Sequence, residues 1–207
     1  MNVSSRTTVH SDHAYISPED YLVREEQAVR KHEYVDGRIY LRGDCPNGHN
    51  RIAGNFLARL YGRLRGTPFE VWNSNTKVRI RLPTHTRFYY PDGIVVRNSN
   101  GPDDVYQDWP VVVAEVLSPS TRRIDSCEKR DGYLMIPTLT DYLLIDWREP
   151  VVEVYHRTTS GFVRMVVNGI ESSIPLDSLG TTLPLAELYE RIDFITMSEI
   201  TDEDGIL

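Results

Sequence analysis

Apolar positions along the chain change their period several times, and each change marks an element. Ser17-Pro18-Glu19-Asp20 supplies a hydroxyl cap, a proline at the first helical position and acids in the first turn, which predicts a helix running to about Arg30. Tyr34 to Leu41 reads as a hairpin turning on Asp36-Gly37, since Asp-Gly accepts the positive φ angles of a tight turn. After a loop from Gly43 to Asn47, Ile52, Phe56, Leu60 and Leu64 recur at four-residue steps. That spacing predicts a helix over His49 to Arg65 with one buried stripe.

The period then shortens to two. Val78, Ile80 and Leu82 alternate with Lys77, Arg79 and Arg81, a half-buried strand with a basic outer face. Phe88 to Val96 is a second strand region, with Pro91-Asp92-Gly93 near its start. Asn98 to Trp109 is a polar loop. Val111 to Leu117 is apolar on both faces, as a strand central to a sheet must be. Ser118 to Thr121 has the character of a helix start, and Arg123 to about Met135 follows as a helix. Asp141 to Trp147, Val151 to His156 and Phe162 to Val167 are strands, and Leu183 to Tyr189 is a short helix. This order predicts an α/β fold, a mixed sheet flanked by helices. Residues 1–16 are polar and expected to be poorly ordered, 17–195 form one domain, and 196–207 are an acidic tail.

Composition narrows the function classes. A chain of 207 residues can bury a core without staples, and Cys45 and Cys127 form no CxxC or disulfide framework. The N-terminal stretch lacks the apolar segment of a signal peptide. The longest apolar run, Pro110 to Leu117, falls far short of the ~20 residues that span a bilayer. A cytoplasmic protein with no membrane partner is expected. The net charge of −7 argues against nucleic acid, but its distribution is uneven. Residues 49–90 hold eight bases and one acid, whereas residues 171–207 hold nine acids and one base. A solvated face balanced by acids elsewhere is the plainer reading of that basic stretch; a phosphate-binding surface is the other. No Gly-rich phosphate loop and no nucleophile elbow occurs.

Glu115 is the most informative residue. Every neighbour in Pro-Val-Val-Val-Ala-Glu-Val-Leu is apolar, and an ionised carboxylate buried there needs a cation, a metal or a proton. A structural salt bridge is the plainer alternative. Asp92, in Pro-Asp-Gly, is a common turn residue by itself, but two acids on adjacent strands can converge on one hard cation. Glu33 beside Lys31 reads first as an exposed acid, and His49 as a cap or surface residue. Asp125, Lys129 and Tyr133 are spaced i, i+4, i+8 and share one helix face, so Lys129 is either a surface partner of Asp125 or a cation near Glu115.

Pro91-Asp92, then Ala114-Glu115-Val116-Leu117-Ser118-Pro119-Ser120-Thr121, then Asp125, Lys129 and Tyr133 together resemble the Uma-two family of restriction-endonuclease-like proteins. His32-Glu33-Tyr34-Val35-Asp36-Gly37, His49, Asp141 to Asp146 and Val152 to Tyr155 extend the similarity over roughly residues 17–190. The resemblance implies a PD-(D/E)XK nuclease fold, with Asp92 and Glu115 at the metal-binding positions. It also implies a departure: Leu117 stands where that superfamily carries a lysine, and Lys129 on the following helix is the expected substitute. On this reading Asp92, Glu115 and the Val116 carbonyl hold Mg²⁺ or Mn²⁺, and Glu33 binds a second ion or its waters. Lys129 assists, and Arg59, Arg63, Lys77, Arg79, Arg81 and Arg87 grip the DNA backbone. Cutting both strands would favour a homodimer. Two other classes stay open: a non-catalytic DNA-binding module on a degenerate nuclease fold, and an interaction protein whose buried acids simply balance cations.

Overall fold

The computed structural model describes residues 15–117 and 125–194. Helix α1 (Pro18–Glu26) starts as predicted, with the Ser17 hydroxyl accepting the Asp20 amide at 3.0 Å, but ends four residues before Arg30. Ile16 is already buried and its amide bonds to the Gly37 carbonyl, so this residue belongs to the packed region and not to the poorly ordered segment expected over 1–16. Strands β1 (His32–Val35) and β2 (Arg38–Leu41) form the hairpin, with φ of 51° at Asp36 and 91° at Gly37. Two successive positive φ values are what an Asp-Gly turn supplies.

Helix α2 (Asn47–Arg63) buries His49, Ile52, Phe56 and Leu60 along one stripe. Strands β3 (Glu70–Asn73), β4 (Lys77–Arg81), β5 (Thr86–Tyr89), β6 (Gly93–Val96), β7 (Tyr106–Gln107) and β8 (Pro110–Leu117) follow. The predicted single strand region from Phe88 to Val96 is two strands. β5 joins β1 and β4 in a five-stranded sheet ordered β2-β1-β5-β4-β7, while β6 lies between β3 and β8 in a six-stranded sheet. Tyr90-Pro91-Asp92 carries the chain from one sheet to the other, and Pro91, with no amide hydrogen, cannot donate to a ladder at the crossing.

Beyond β8, a π-helical turn (Asp125–Lys129) runs into α3 (Arg130–Tyr133). The predicted turn at Ser118 to Thr121 and the first residues of the predicted helix lie outside the described residues. Strands β9 (Asp141–Asp146), β10 (Val151–Thr158) and β11 (Gly161–Asn168) complete the larger sheet in the order β11-β10-β9-β8-β6-β3. β8 and β9 run parallel in it, and the other pairs are antiparallel. A hairpin of β12 (Ser173–Leu176) and β13 (Thr181–Pro184), then α4 (Leu185–Leu188), close the described chain.

The larger sheet is covered on both faces. Val112, Ala114 and Val116 of β8 pack with the α2 stripe, the β12–β13 hairpin and α4. Val113 and Leu117, of the other parity, face Val78, Ile80 and Tyr89 of the smaller sheet and Tyr133 of α3. Glu115 shares that second parity, so its carboxylate enters an apolar layer between the sheets. Gly93 opens β6 where α2 crosses: a Cβ there would overlap the Phe56 ring.

Candidate active site

Asp92 lies at the sheet crossing, one residue before β6. Its amide donates to the Ala114 carbonyl at 3.0 Å, and its Oδ2 accepts the Val116 amide at 2.8 Å. The side chain thus continues the β6–β8 ladder one step past the end of β6. The N–H and C=O of a strand residue point to the same edge, so the Val116 carbonyl faces the Asp92 side as well. Asp92 Oδ1 accepts from Arg42 Nη2 at 2.6 Å, and Oδ2 also lies 3.0 Å from His49 Nε2. Burial alone would raise the Asp92 carboxyl, but His49, Arg42 and the Val116 amide outweigh it and hold it below the usual carboxylate range. In return, burial pulls His49 down and the hydrogen bond and charge of Asp92 push it up, to about 10.

Three more carboxylates gather on one ammonium. Lys129 Nζ lies 2.9 Å from Glu33 Oε1, 3.1 Å from Glu115 Oε1 and 3.1 Å from Asp125 Oδ1, and all four side chains are nearly inaccessible. Tyr133 Oη donates to Glu115 Oε1 at 3.1 Å. Burial lowers the Lys129 ammonium, yet the charges of Asp125, Glu115 and Glu33 hold it well above its ordinary value. Glu115 moves well upward: burial raises it, Lys129 opposes, and Asp125, Asp92 and Glu33 add to the rise. Lys129 makes both the i, i+4 pair with Asp125 and the approach to Glu115, but it does so buried, so the reading of Lys129 as a surface partner of Asp125 does not hold.

The chemistry of this donor set suits a hard divalent cation. It offers oxygen ligands from the carboxylates Glu33, Asp92, Glu115 and Asp125, with Arg42, Lys129 and a protonated His49 placed among them. Burial first, then the charges of Asp125, Asp92 and Glu33, makes Glu115 favour its proton. Among the described residues, however, no three His, Cys, Asp or Glu side chains form a ready-made cage. Arg42 already occupies Asp92 Oδ1, so an incoming cation must share or replace that contact.

Glu33 and His49 are buried here, unlike their plainer sequence readings. Arg42 escaped the sequence reading altogether; a single arginine after a hairpin carries no signal, and only the β1–β2 register brings it to Asp92. The basic stretch does not form one open face. Arg59 and Arg63 pair with Glu187 and Glu190 beside α4, Arg79 grips Asp108 through two bonds of 2.7 and 2.6 Å, and Arg87 pairs with Asp36. Lys77, assigned to the outer face of its strand, is buried with its ammonium 3.1 Å from the Tyr90 hydroxyl. Arg81 has the most accessible side chain of the ion-paired arginines in this group, at 64%, and lies 3.6 Å from Asp108.

A mixed six-stranded sheet, its acids gathered at the ends of neighbouring strands and its faces covered by helices and a second sheet, is a nuclease-like architecture. A crystal structure described as a "putative nuclease belonging to DUF820", from Anabaena variabilis, superposes with a TM-score of 0.65 at 18% identity, over 84% of this chain and 97% of that one. The sequence is more specific than the fold. Residues 18–186 match the model of the Uma2 family, described as "Putative restriction endonuclease", and the chain belongs to that family. Its relatives include two proteins of Synechocystis. The uncharacterized protein slr1290 is 31% identical over 181 residues, covering 86% of this chain and 94% of its own. The uncharacterized protein sll1609 is 33% identical over 130 residues, 61% of this chain and 72% of its own.

Proposed function

We propose that this protein is a metal-dependent endonuclease hydrolysing DNA phosphodiester bonds. The observation that carries the reading is a buried lysine, Lys129, held between Glu33 and Glu115, with Asp92 bonded to the amide of Val116, the residue after Glu115. Asp92, Glu115 and the Val116 carbonyl would hold Mg²⁺ or Mn²⁺, with Glu33 placed for a second ion or for bound water. Such a cation, when bound, lowers the pKa of an attached water and offsets charge on the phosphate. Lys129 stays protonated at neutral pH because three acids surround it, so it can orient the attacking water or donate to a phosphate oxygen as charge builds there. Lys129 thereby takes the part that Leu117, buried in the apolar layer, cannot play. Arg81 is disposed to contact backbone phosphate, whereas Arg59, Arg63, Arg79 and Arg87 would have to exchange a carboxylate for it and Lys77 would have to leave the interior.

The test is plasmid cleavage with Mg²⁺ and with Mn²⁺, comparing the native chain with Glu115→Ala. Metal-dependent nicking by the native chain alone is expected. Arg42, His49 and the Val116 amide together engage both oxygens of Asp92, which favours a second reading, a DNA-binding module that no longer cleaves. Calorimetric Mn²⁺ binding and DNA binding without nicking would establish it. Absence of both would leave the acids as partners of buried cations only.

A further inference from the structure

The β1–β2 hairpin sets two cations directly opposite one another. His32 pairs with Leu41, and one step further the Arg42 amide bonds to the Lys31 carbonyl at 2.9 Å, so Lys31 and Arg42 are cross-strand neighbours. Like charges in that relation are destabilising unless an anion relieves them. Asp92 answers Arg42. Lys31 has no such answer: its ammonium meets the Ser74 carbonyl at 2.9 Å and the Asn75 side-chain oxygen, both neutral, and among the described residues no carboxylate lies in ion-pair range. Both cations line a cavity of about 500 Å³ whose wall includes Asp92 and whose other polar groups include Asn50, Asn73 and Asn75. Over Gly54, also in the wall, a Cβ would meet nothing within 4 Å. The space is open, polar and of a size that holds a small ligand.

We infer that this cavity is a nucleotide subsite, in which Lys31 and Arg42 take the phosphate next to the bond cleaved at Asp92. The inference rests on the nuclease reading for its substrate but not for its binding chemistry. A nucleotide phosphate between the two cations supplies the missing negative charge, and the asparagine amides offer donors and acceptors to the attached sugar and base without demanding one sequence.

The experiment follows amide and side-chain NMR signals of the full chain in EDTA, titrated with thymidine 5′-monophosphate, with thymidine and with inorganic phosphate. The monophosphate should shift signals of the cavity wall and thymidine should not. Lys31→Met should weaken monophosphate binding at least tenfold with its melting temperature retained, Lys31→Arg should restore it, and the remote Arg164→Gln should leave it unchanged. Inorganic phosphate shifting the same signals with the same dependence on Lys31 also supports the subsite. Equal binding of thymidine and its monophosphate, or native affinity in Lys31→Met, overturns it. Because no metal is present, the two readings fail separately. Lys31-dependent binding in a chain that never nicks plasmid keeps the subsite and removes the nuclease; metal-dependent nicking without monophosphate binding does the reverse.

Discussion

Replacing Lys129 with methionine isolates what the ammonium does for the fold. It is in direct contact with Glu33, Glu115 and Asp125, three acids to one base, all buried. Its removal takes away the ammonium that touches Glu115, and breaking a buried ion pair from one side costs about 3–5 kcal/mol. For a chain of this length each kcal/mol shifts the melting temperature by about 2–4 °C, so Lys129→Met should melt roughly 6–20 °C lower at pH 8. Glu115→Gln changes the same balance in the other direction, from three acids to two, and should melt at or above the native temperature in metal-free buffer. The pH dependence follows from Glu115. Its folded carboxyl sits well above the ordinary 4.5, so the folded protein holds that proton more tightly than the unfolded chain. Stability from this group is full below about 4.5 and declines as pH rises toward the folded value. Loss of Lys129 raises the folded Glu115 carboxyl further, so the gap between variant and native should close near pH 4 and widen through neutrality. Circular-dichroism melts from pH 4 to 9 measure all three proteins. A Lys129→Met protein within 2 °C of native at about pH 8, or a Glu115→Gln protein as unstable as Lys129→Met, would refute the charge accounting.

Other expectations test the site and its frame. In single-turnover cleavage with Mg²⁺, Lys129→Met should lower the rate of bound DNA about 10²–10³-fold with DNA affinity little changed, whereas Arg81→Ala should weaken binding and flatten its salt dependence; equal rates for Lys129→Met and native would remove the lysine from the chemistry. His49 is raised to about 10 against an unfolded 6.5, so the stability it contributes is full below 6.5 and is lost as pH rises through about 10. Melts across that window should slope downward for the native chain and flatten for His49→Gln. Gly93→Ala should cost about 1–3 kcal/mol because its Cβ meets the Phe56 ring, and in the Phe56→Ala background the same change should cost far less, which a double-mutant cycle in urea would read.

Local elements were legible because their signals are local. The Ser17 cap, the Asp36-Gly37 turn and the α2 stripe each follow from residues within a few positions of one another. So did Glu115, since a lone acid in an apolar strand has few explanations. What escaped depended on where the chain goes between elements. Nothing in Phe88 to Val96 announces that the strand changes sheets, although Pro91 marks the place in retrospect. Ser173 to Pro184 alternates too weakly to reveal the β12–β13 hairpin. Glu33 beside Lys31 looks exposed, yet it is buried against Lys129, 96 positions away in sequence. The basic run likewise gave no hint of its acids, because Asp36, Asp108, Glu187 and Glu190 all come from other segments.

The crossing at Tyr90-Pro91-Asp92 also bears on how the centre assembles. Glu33 and Arg42 are carried on or beside the smaller sheet, Asp92 and Glu115 on or beside the larger, and Lys129 on the turn that follows it. No single sheet of the fold holds the whole set. Partial unfolding that frees the β1–β2 hairpin would strip away Glu33 and Arg42 while β6 and β8 kept their ladder, leaving an acid pair relieved of one of its cations. The order in which amides of the two sheets become protected during refolding therefore sets when the centre first exists, and the later of the two sheets to form decides it.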